Sequence, residues 1–268
     1  MHSLPAGLEL ISCPAVTPRG PTLLFLHGAA GAAWMWAEHL MPALAAEGWS
    51  CLALSFRGHG RSPGADRLQE LGLDDYADDV RSVLSAIDGP VILVGHSLGG
   101  LVAQRLLLHP SVRGLVLLAS VPPEGLAMFN FRLALSQPLL WSEVARLPFM
   151  TIPNQASVAM LTNALFSRGF DPGVAERHVL RLGAESFRAL NEAQWPNLIA
   201  SARGLGVPVL SIGAVQDALV PYDAVTRGAV YHGARLRMLG GKGHAIMLDT
   251  LWPSLVAMLL AWLTERYR

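Results

Sequence analysis

Three residues of this sequence are suited to covalent chemistry together: a serine bracketed by glycines, a later aspartate, and a histidine near the chain's end. The serine is Ser97, in Val91-Ile92-Leu93-Val94-Gly95-His96-Ser97-Leu98-Gly99-Gly100, where a short apolar run meets a G-x-S-x-G pattern and a helix-like stretch follows. The pentapeptide by itself would arise by chance in roughly one or two chains in ten of this composition. Its position between a strand and a helix is what fits a nucleophile elbow, a turn so sharp that the serine backbone is strained and its neighbours two residues away must be small. Gly95 and Gly99 meet that need, and the helix that follows aims its first N–H groups at any developing negative charge.

Serine is a weak nucleophile until a base takes its proton, and a neutral histidine needs a carboxylate to fix its tautomer. The loop Leu239-Gly240-Gly241-Lys242-Gly243-His244 offers His244 as the base, and Asp217, after the apolar run Val207–Ile212, offers the carboxylate. Acyl transfer also needs two preorganised donors for the oxyanion. A backbone N–H just after Leu23-Leu24-Phe25-Leu26-His27-Gly28, that of Ala29, could act with the N–H of Leu98. Glu124, shortly after the run Gly114–Ala119, is a rival for the role of acid. His27 and His96 read as structural, hydrogen-bonding residues. The pairs Asp74-Asp75 and Asp78-Asp79 read as a solvated helix N-terminus favoured by the dipole. No histidine pair has metal-ligand spacing and no glycine-rich segment carries a dinucleotide fingerprint, so neither a metal nor a cofactor is expected.

The elements that would position these residues alternate. Short apolar runs at Thr22–Leu26, Ser50–Leu54, Val91–Val94, Gly114–Ala119, Val207–Ile212 and Arg235–Leu239 read as strands buried on both faces. Helical patterns at Trp36–Glu47, Leu73–Ile87, Leu98–His109, Tyr222–Ala229 and Trp252–Arg266 lie between or after them. The alternation predicts an α/β fold with a mainly parallel sheet covered on both faces, plus a short antiparallel edge from residues before Thr22. It breaks from about Pro122 to Leu205, where helix-like segments (131–141, 156–166 and 174–182) punctuated by Pro138, Pro148, Pro153, Pro172 and Pro196 predict a helical insertion. Aromatic and methionine side chains there, including Met128, Phe129, Trp141 and Met150, mostly suit packing. Some of them (Met128, Phe129 and Trp141), with Trp34 and Trp36, are candidates for the roof of a cleft suited to an uncharged, largely apolar small molecule.

Composition narrows the partners. The 268 residues are 52% hydrophobic and 15% charged, with 20 basic and 20 acidic side chains, which argues against disorder and leaves no footprint for nucleic acid. The segment Met1–Pro5 lacks a basic and apolar leader pattern, and the run Leu255–Leu263 is about half the length a membrane span requires, so the expectation is a cytoplasmic chain without an integral membrane segment. Cys13 and Cys51 form no disulfide framework, and Cys51 reads as a small core residue.

The segments His27-Gly28, Ser55-Phe56-Arg57-Gly58-His59-Gly60-Arg61-Ser62, Gly95-His96-Ser97-Leu98-Gly99-Gly100 and Gly243-His244 resemble the α/β-hydrolase superfamily, in particular its esterase and lysophospholipase-type members. The resemblance covers residues 20–121 and 206–268. It implies an α/β-hydrolase core over 1–121 and 206–268 and a variable helical cap, 122–205, inserted after the sixth strand. It also implies cleavage of a carboxylic ester by Ser97, Asp217 and His244 through an acyl-enzyme. The same triad could act on an amide, lactone, thioester, C–C bond or peracid, or persist in a ligand receptor. Epoxide hydrolase and haloalkane dehalogenase relatives carry Asp where this chain has Ser97. The sequence departs from many relatives at Ser55, where they have Asp.

Overall fold

The computed structural model describes residues 7–149, 155–241 and 243–267. The segment Met1–Pro5, Met150, Pro153 and Lys242 therefore lie outside the described residues.

The central strands of the sheet are built from runs apolar at nearly every position, and the alternation of their side chains explains why. In β2 (Thr22–Leu26), Leu23 and Phe25 point into the core on one face, and Leu24 and Leu26 into the core on the other. In β4 (Val91–His96) the same alternation sends Ile92 and Val94 one way and Val91 and Leu93 the other. A strand covered by helices on both faces has no polar positions to spare, and each such leucine or phenylalanine stabilises the fold by about 1.5–3 kcal/mol. The other strands are β1 (Leu10–Cys13), β3 (Cys51–Leu54), β5 (Val112–Leu118), β6 (Val209–Ala214) and β7 (Arg235–Leu239). They run in the order β1-β3-β2-β4-β5-β6-β7, all parallel except β1, which pairs antiparallel with β3. This is the expected doubly covered sheet, with the expected short antiparallel edge.

One face is covered by the short helices Trp34–Ala37 and Leu40–Ala46 and the C-terminal helix Trp252–Arg266, through Trp36, Leu40, Met41, Leu44, Leu255, Leu259 and Trp262. The other is covered by Leu73–Ala86 and Leu98–Gln104. Cys51 is a free thiol buried on the first of these faces.

Two expectations change in detail. The helical insertion leaves the sheet after the fifth strand rather than the sixth, because the chain before Thr22 contributes a single described strand. Within it, the predicted helix over 131–141 is two helices, Ala127–Ser136 and Pro138–Ala145, since Pro138 lacks the N–H that would continue the first and suits the opening turn of the second. Helices Gln155–Leu165, Pro172–Val179 and Phe187–Glu192 follow, the second opened by Asp171, whose side chain accepts the Val174 N–H at 2.9 Å.

Candidate active site

Ser97 sits between β4 and helix Leu98–Gln104 with φ +51° and ψ −118°, a conformation that side chains disfavour. It is over-determined by its surroundings: its N–H donates to the Leu118 carbonyl (3.0 Å), and its carbonyl accepts from Gly100 (3.0 Å) and Val121 (3.1 Å). The flanking glycine is a packing requirement as well. A Cβ on Gly99 would run into the Leu26 and His27 carbonyl oxygens, so the helix can approach β2 this closely only without one. Gly28 is constrained in the same way from the other side, where a Cβ would come within 3.0 Å of the Ser97 Cβ and 2.6 Å of His96 Nδ1.

Asp217 and His244 meet. The His244 Nδ1–H donates to Asp217 Oδ2 at 2.7 Å, and Asp217 Oδ1 accepts the backbone N–H groups of Leu219 (2.8 Å) and Val220 (3.0 Å). Both side chains are buried, so the carboxylate is held by three donors and the imidazole is fixed with its proton on Nδ1, leaving Nε2 as a base. Glu124 is elsewhere: it is half exposed and pairs with Arg227 Nε at 2.6 Å. His96 ties the histidine loop to the serine turn. Its Nε2–H donates to the His244 carbonyl (3.0 Å) and its ring lies 4.6 Å from that of His244.

The Ala29 and Leu98 N–H groups make no hydrogen bond among the described residues. Ala29 lines a cavity of about 120 Å³ with His96, His244, Trp34, Leu161, Leu190 and other apolar side chains, several of them from the insertion. Trp34 lines this cavity, but Trp36 does not. It is fully buried beneath, 5.0 Å from Phe25, because residues two apart on a helix turn to opposite sides. Met128 is 70% exposed and points away. Phe129 packs within the insertion against Leu133, Leu140 and Ala164, and Trp141 lines an outward groove with Phe131 and Trp195. None of these three side chains is turned to the cavity.

Sequence reasoning missed several contributors. His178, buried at the cavity, stacks on Trp34 with ring centroids 5.7 Å apart, and its Nε2 is 3.6 Å from Glu38. The Arg57 loop is held by Asp79, which is buried and accepts from the Arg57 N–H (2.8 Å), Nε (2.8 Å) and Nη2 (2.7 Å). Asp79 is therefore not solvated, a correction to the reading of the acidic pairs; a guanidinium compensates its burial. Ser55 donates to Glu9 Oε2 (2.7 Å), so a carboxylate just before β1 reaches this turn.

Two buried histidines should make stability pH-dependent. His27 donates from Nδ1 to the Gly28 carbonyl and accepts the Phe56 N–H at Nε2, and burial, with the charge of His59, pushes it down to about 3. Burial also holds His96 well below the ordinary imidazole value. Unfolded, both would titrate near 6.5, so unfolding takes up protons below that pH. Stability is expected to be full above about pH 6.5 and to fall steadily as pH drops toward 3. Melting temperature measured against pH should decline over this window, more shallowly in His27→Gln; a flat profile would contradict the neutral, buried state.

A profile of the alpha/beta hydrolase family matches residues 23–250 of this sequence. The chain belongs to that family. Among curated relatives, this family member is 36% identical over 116 residues to protein phosphatase methylesterase 1 of Mus musculus, covering 41% of this chain and 29% of the relative. It is 33% identical over 109 residues to epoxide hydrolase B of Mycobacterium tuberculosis (strain ATCC 25618 / H37Rv), covering 40% of this chain and 30% of that protein. The matches to both thus span about three tenths of the relatives' own length. Over nearly the whole chain the fold is that of an esterase from Exiguobacterium antarcticum (TM-score 0.75, 18% identity, 96% of this chain and 95% of that one). It is also that of a bromoperoxidase from Bacillus anthracis (TM-score 0.73, 18% identity, 96% and 95%). No helix among the described residues is long and apolar enough to cross a membrane.

Proposed function

We propose that this hydrolase cleaves a carboxylic ester of an uncharged, largely apolar small molecule through an acyl-enzyme. The observation that carries the reading is the Asp217–His244 pair, oriented with Nδ1 protonated and tied through His96 to a serine held at positive φ at the head of a helix. His244 Nε2 takes the Ser97 hydroxyl proton as Oγ attacks the carbonyl carbon. The oxyanion is held by the Ala29 and Leu98 N–H groups; when the intermediate collapses, the alcohol leaves with the proton from His244. Water, deprotonated by the same nitrogen, then releases the acid. No metal or cofactor enters these steps, and the insertion acts as a cap that roofs the cavity.

The similarity to an epoxide hydrolase does not favour the corresponding reaction, since the nucleophile position carries a hydroxyl rather than a carboxylate. The reading is tested by a fluorophosphonate probe together with p-nitrophenyl ester kinetics. Rapid labelling at Ser97 and release of many equivalents of nitrophenol per chain are expected; labelling at another residue, or a single stoichiometric burst, would sink it.

Cavity size supports a limit on the acyl group. Trp34, stacked on His178 and with the Arg181 guanidinium over its ring, forms one wall. Trp34→Ala should raise the ratio of kcat/KM for octanoate over acetate esters by about tenfold, the scale of one or two methylenes in a hydrophobic pocket. An unchanged ratio would remove Trp34 from the acyl pocket.

A further inference from the structure

Glu185 is a carboxylate with no exposed surface, carried by the insertion into the core domain's interior. Its Oε1 accepts from Tyr76 Oη–H (2.7 Å) and from the Ser186 N–H (2.7 Å). Its Oε2 accepts the N–H of Ala30 at 3.0 Å, and His59 Nε2 stands 3.3 Å from the same oxygen. Burial by itself would push this carboxyl up; the His59 charge and the hydrogen bonds outweigh it and hold it at about 2, so the group is an anion. Two residues earlier on the same strip of chain, the Gly183 N–H donates to the Ala30 carbonyl at 2.8 Å. Ala30 is therefore gripped at both its N–H and its C=O by the insertion.

The grip matters because of what Ala30 is. It is one of three described non-glycine residues with positive φ (+61°), a conformation that must be held from outside. It follows Ala29 directly, in a turn closed by the Gly31 N–H on the Gly28 carbonyl (3.1 Å), which also accepts from His27 Nδ1 (2.8 Å). The Gly28 C=O and the Ala29 N–H belong to one planar peptide and point in opposite directions, so pinning the first aims the second. The turn stays in that shape only while Ala30 keeps its positive φ.

We infer that Glu185 is a positioning residue for ester cleavage: through Ala30 it holds the turn that aims the Ala29 N–H at the oxyanion. This rests on the serine hydrolase reading above. It assigns the strip 183–186 to the catalytic frame instead of to a lid. That strip is tied down further by Gln69, whose Nε2–H donates to the Glu185 carbonyl at 3.3 Å, and by Ser186 Oγ–H on the Leu71 carbonyl.

The test compares Glu185→Gln, Glu185→Ala, Tyr76→Phe and Ser97→Ala on p-nitrophenyl butyrate, with melting temperature measured for each. Glu185→Gln keeps the volume but loses the anion: its one oxygen is drawn to the two donors Tyr76 Oη–H and Ser186 N–H, and the NH₂ then faces the Ala30 N–H and cannot accept from it, which loosens the grip on Ala30. It is expected to lower kcat by about 10–100-fold with KM within about threefold, as for a donor that acts only in the transition state. Affinity for a trifluoromethyl ketone that mimics the oxyanion should fall in parallel. Tyr76→Phe removes a donor to Oε1 and leaves the Ala30 bond, so it should lower the melting temperature and keep kcat within about threefold. Glu185→Ala should be slower still; if it does not fold, Glu185→Gln decides alone. Full kcat in Glu185→Gln, or a loss matched by Tyr76→Phe, would overturn the inference. With Ser97→Ala inactive, either result would fall on Glu185 only, whereas turnover by Ser97→Ala would bring down the underlying reading.

Discussion

Ser97→Ala is expected to lower kcat on a p-nitrophenyl ester by about 10⁴-fold or more, the scale on which loss of a triad nucleophile is felt in serine hydrolases. The fold should survive, because alanine fills the same space and the turn is held by backbone bonds to Leu118, Gly100 and Val121. Ser97→Gly separates chemistry from strain. Its φ and ψ of +51° and −118° mirror a conformation that L residues adopt freely, and glycine accepts the mirror image at no steric cost. That variant should therefore be equally inactive and yet melt higher than the natural chain, by several degrees if about 1–3 kcal/mol of backbone strain is relieved. Retained turnover in either variant would displace Ser97 from the reaction. An unchanged melting temperature in the glycine variant would mean that the turn stores no strain.

Asp217→Asn carries the second large effect. The amide can still accept the Leu219 and Val220 N–H groups at Oδ1, so the loop should keep its shape. What changes is the group facing His244 Nδ1: a carboxylate oxygen 2.7 Å away becomes an NH₂, which can only donate, and the histidine must present Nδ1 as acceptor. The proton then moves to Nε2, the nitrogen that has to act as base. A loss of about 10⁴-fold in kcat is expected, with melting temperature little altered. Glu124→Gln is the control. Its ion pair with Arg227 lies at the surface, where such pairs contribute about 0–1 kcal/mol, and activity should be untouched. A mild Asp217→Asn with a severe Glu124→Gln would transfer the role of acid.

The features legible in the sequence share a physical character: they are short-range. Runs apolar at nearly every position announce burial on both faces, as at Thr22–Leu26 and Val91–His96; Arg235–Leu239 forms a strand where expected but lies at the sheet's edge with Arg237 exposed, so it is not buried on both faces. A glycine pair around Ser97 and a strand leading straight into a helix define a sharp turn within ten residues. Asp217 and His244 were candidates because each follows a strand, and in a parallel sheet the residues after the strands share one rim. The alternation thus specifies a mainly parallel, doubly covered sheet, and the resemblance of the motifs specifies the α/β-hydrolase fold.

Contacts between segments far apart in sequence were not legible. Trp34 and Trp36 are equivalent in composition, and only the orientation of a one-turn helix sends one to the cavity and the other beneath the sheet. Phe129 packs against other helices of the insertion, whereas Met128 and Trp141 sit on its outer surface, so none of the three is turned to the cavity. Asp79 looked solvated until Arg57 was folded onto it, 22 residues away in the chain. Glu185 is the extreme case, a lone acid in a segment with no motif, brought 155 residues back to Ala30. A side chain's type and neighbours determine what chemistry it can perform; the packing of distant elements decides whether it meets a partner, because a buried charge persists only where the rest of the fold supplies its donors. Ser97 announced itself through a G-x-S-x-G pattern set between an apolar strand and a helix, while the residue that supports its oxyanion turn is brought to it only by the tertiary fold.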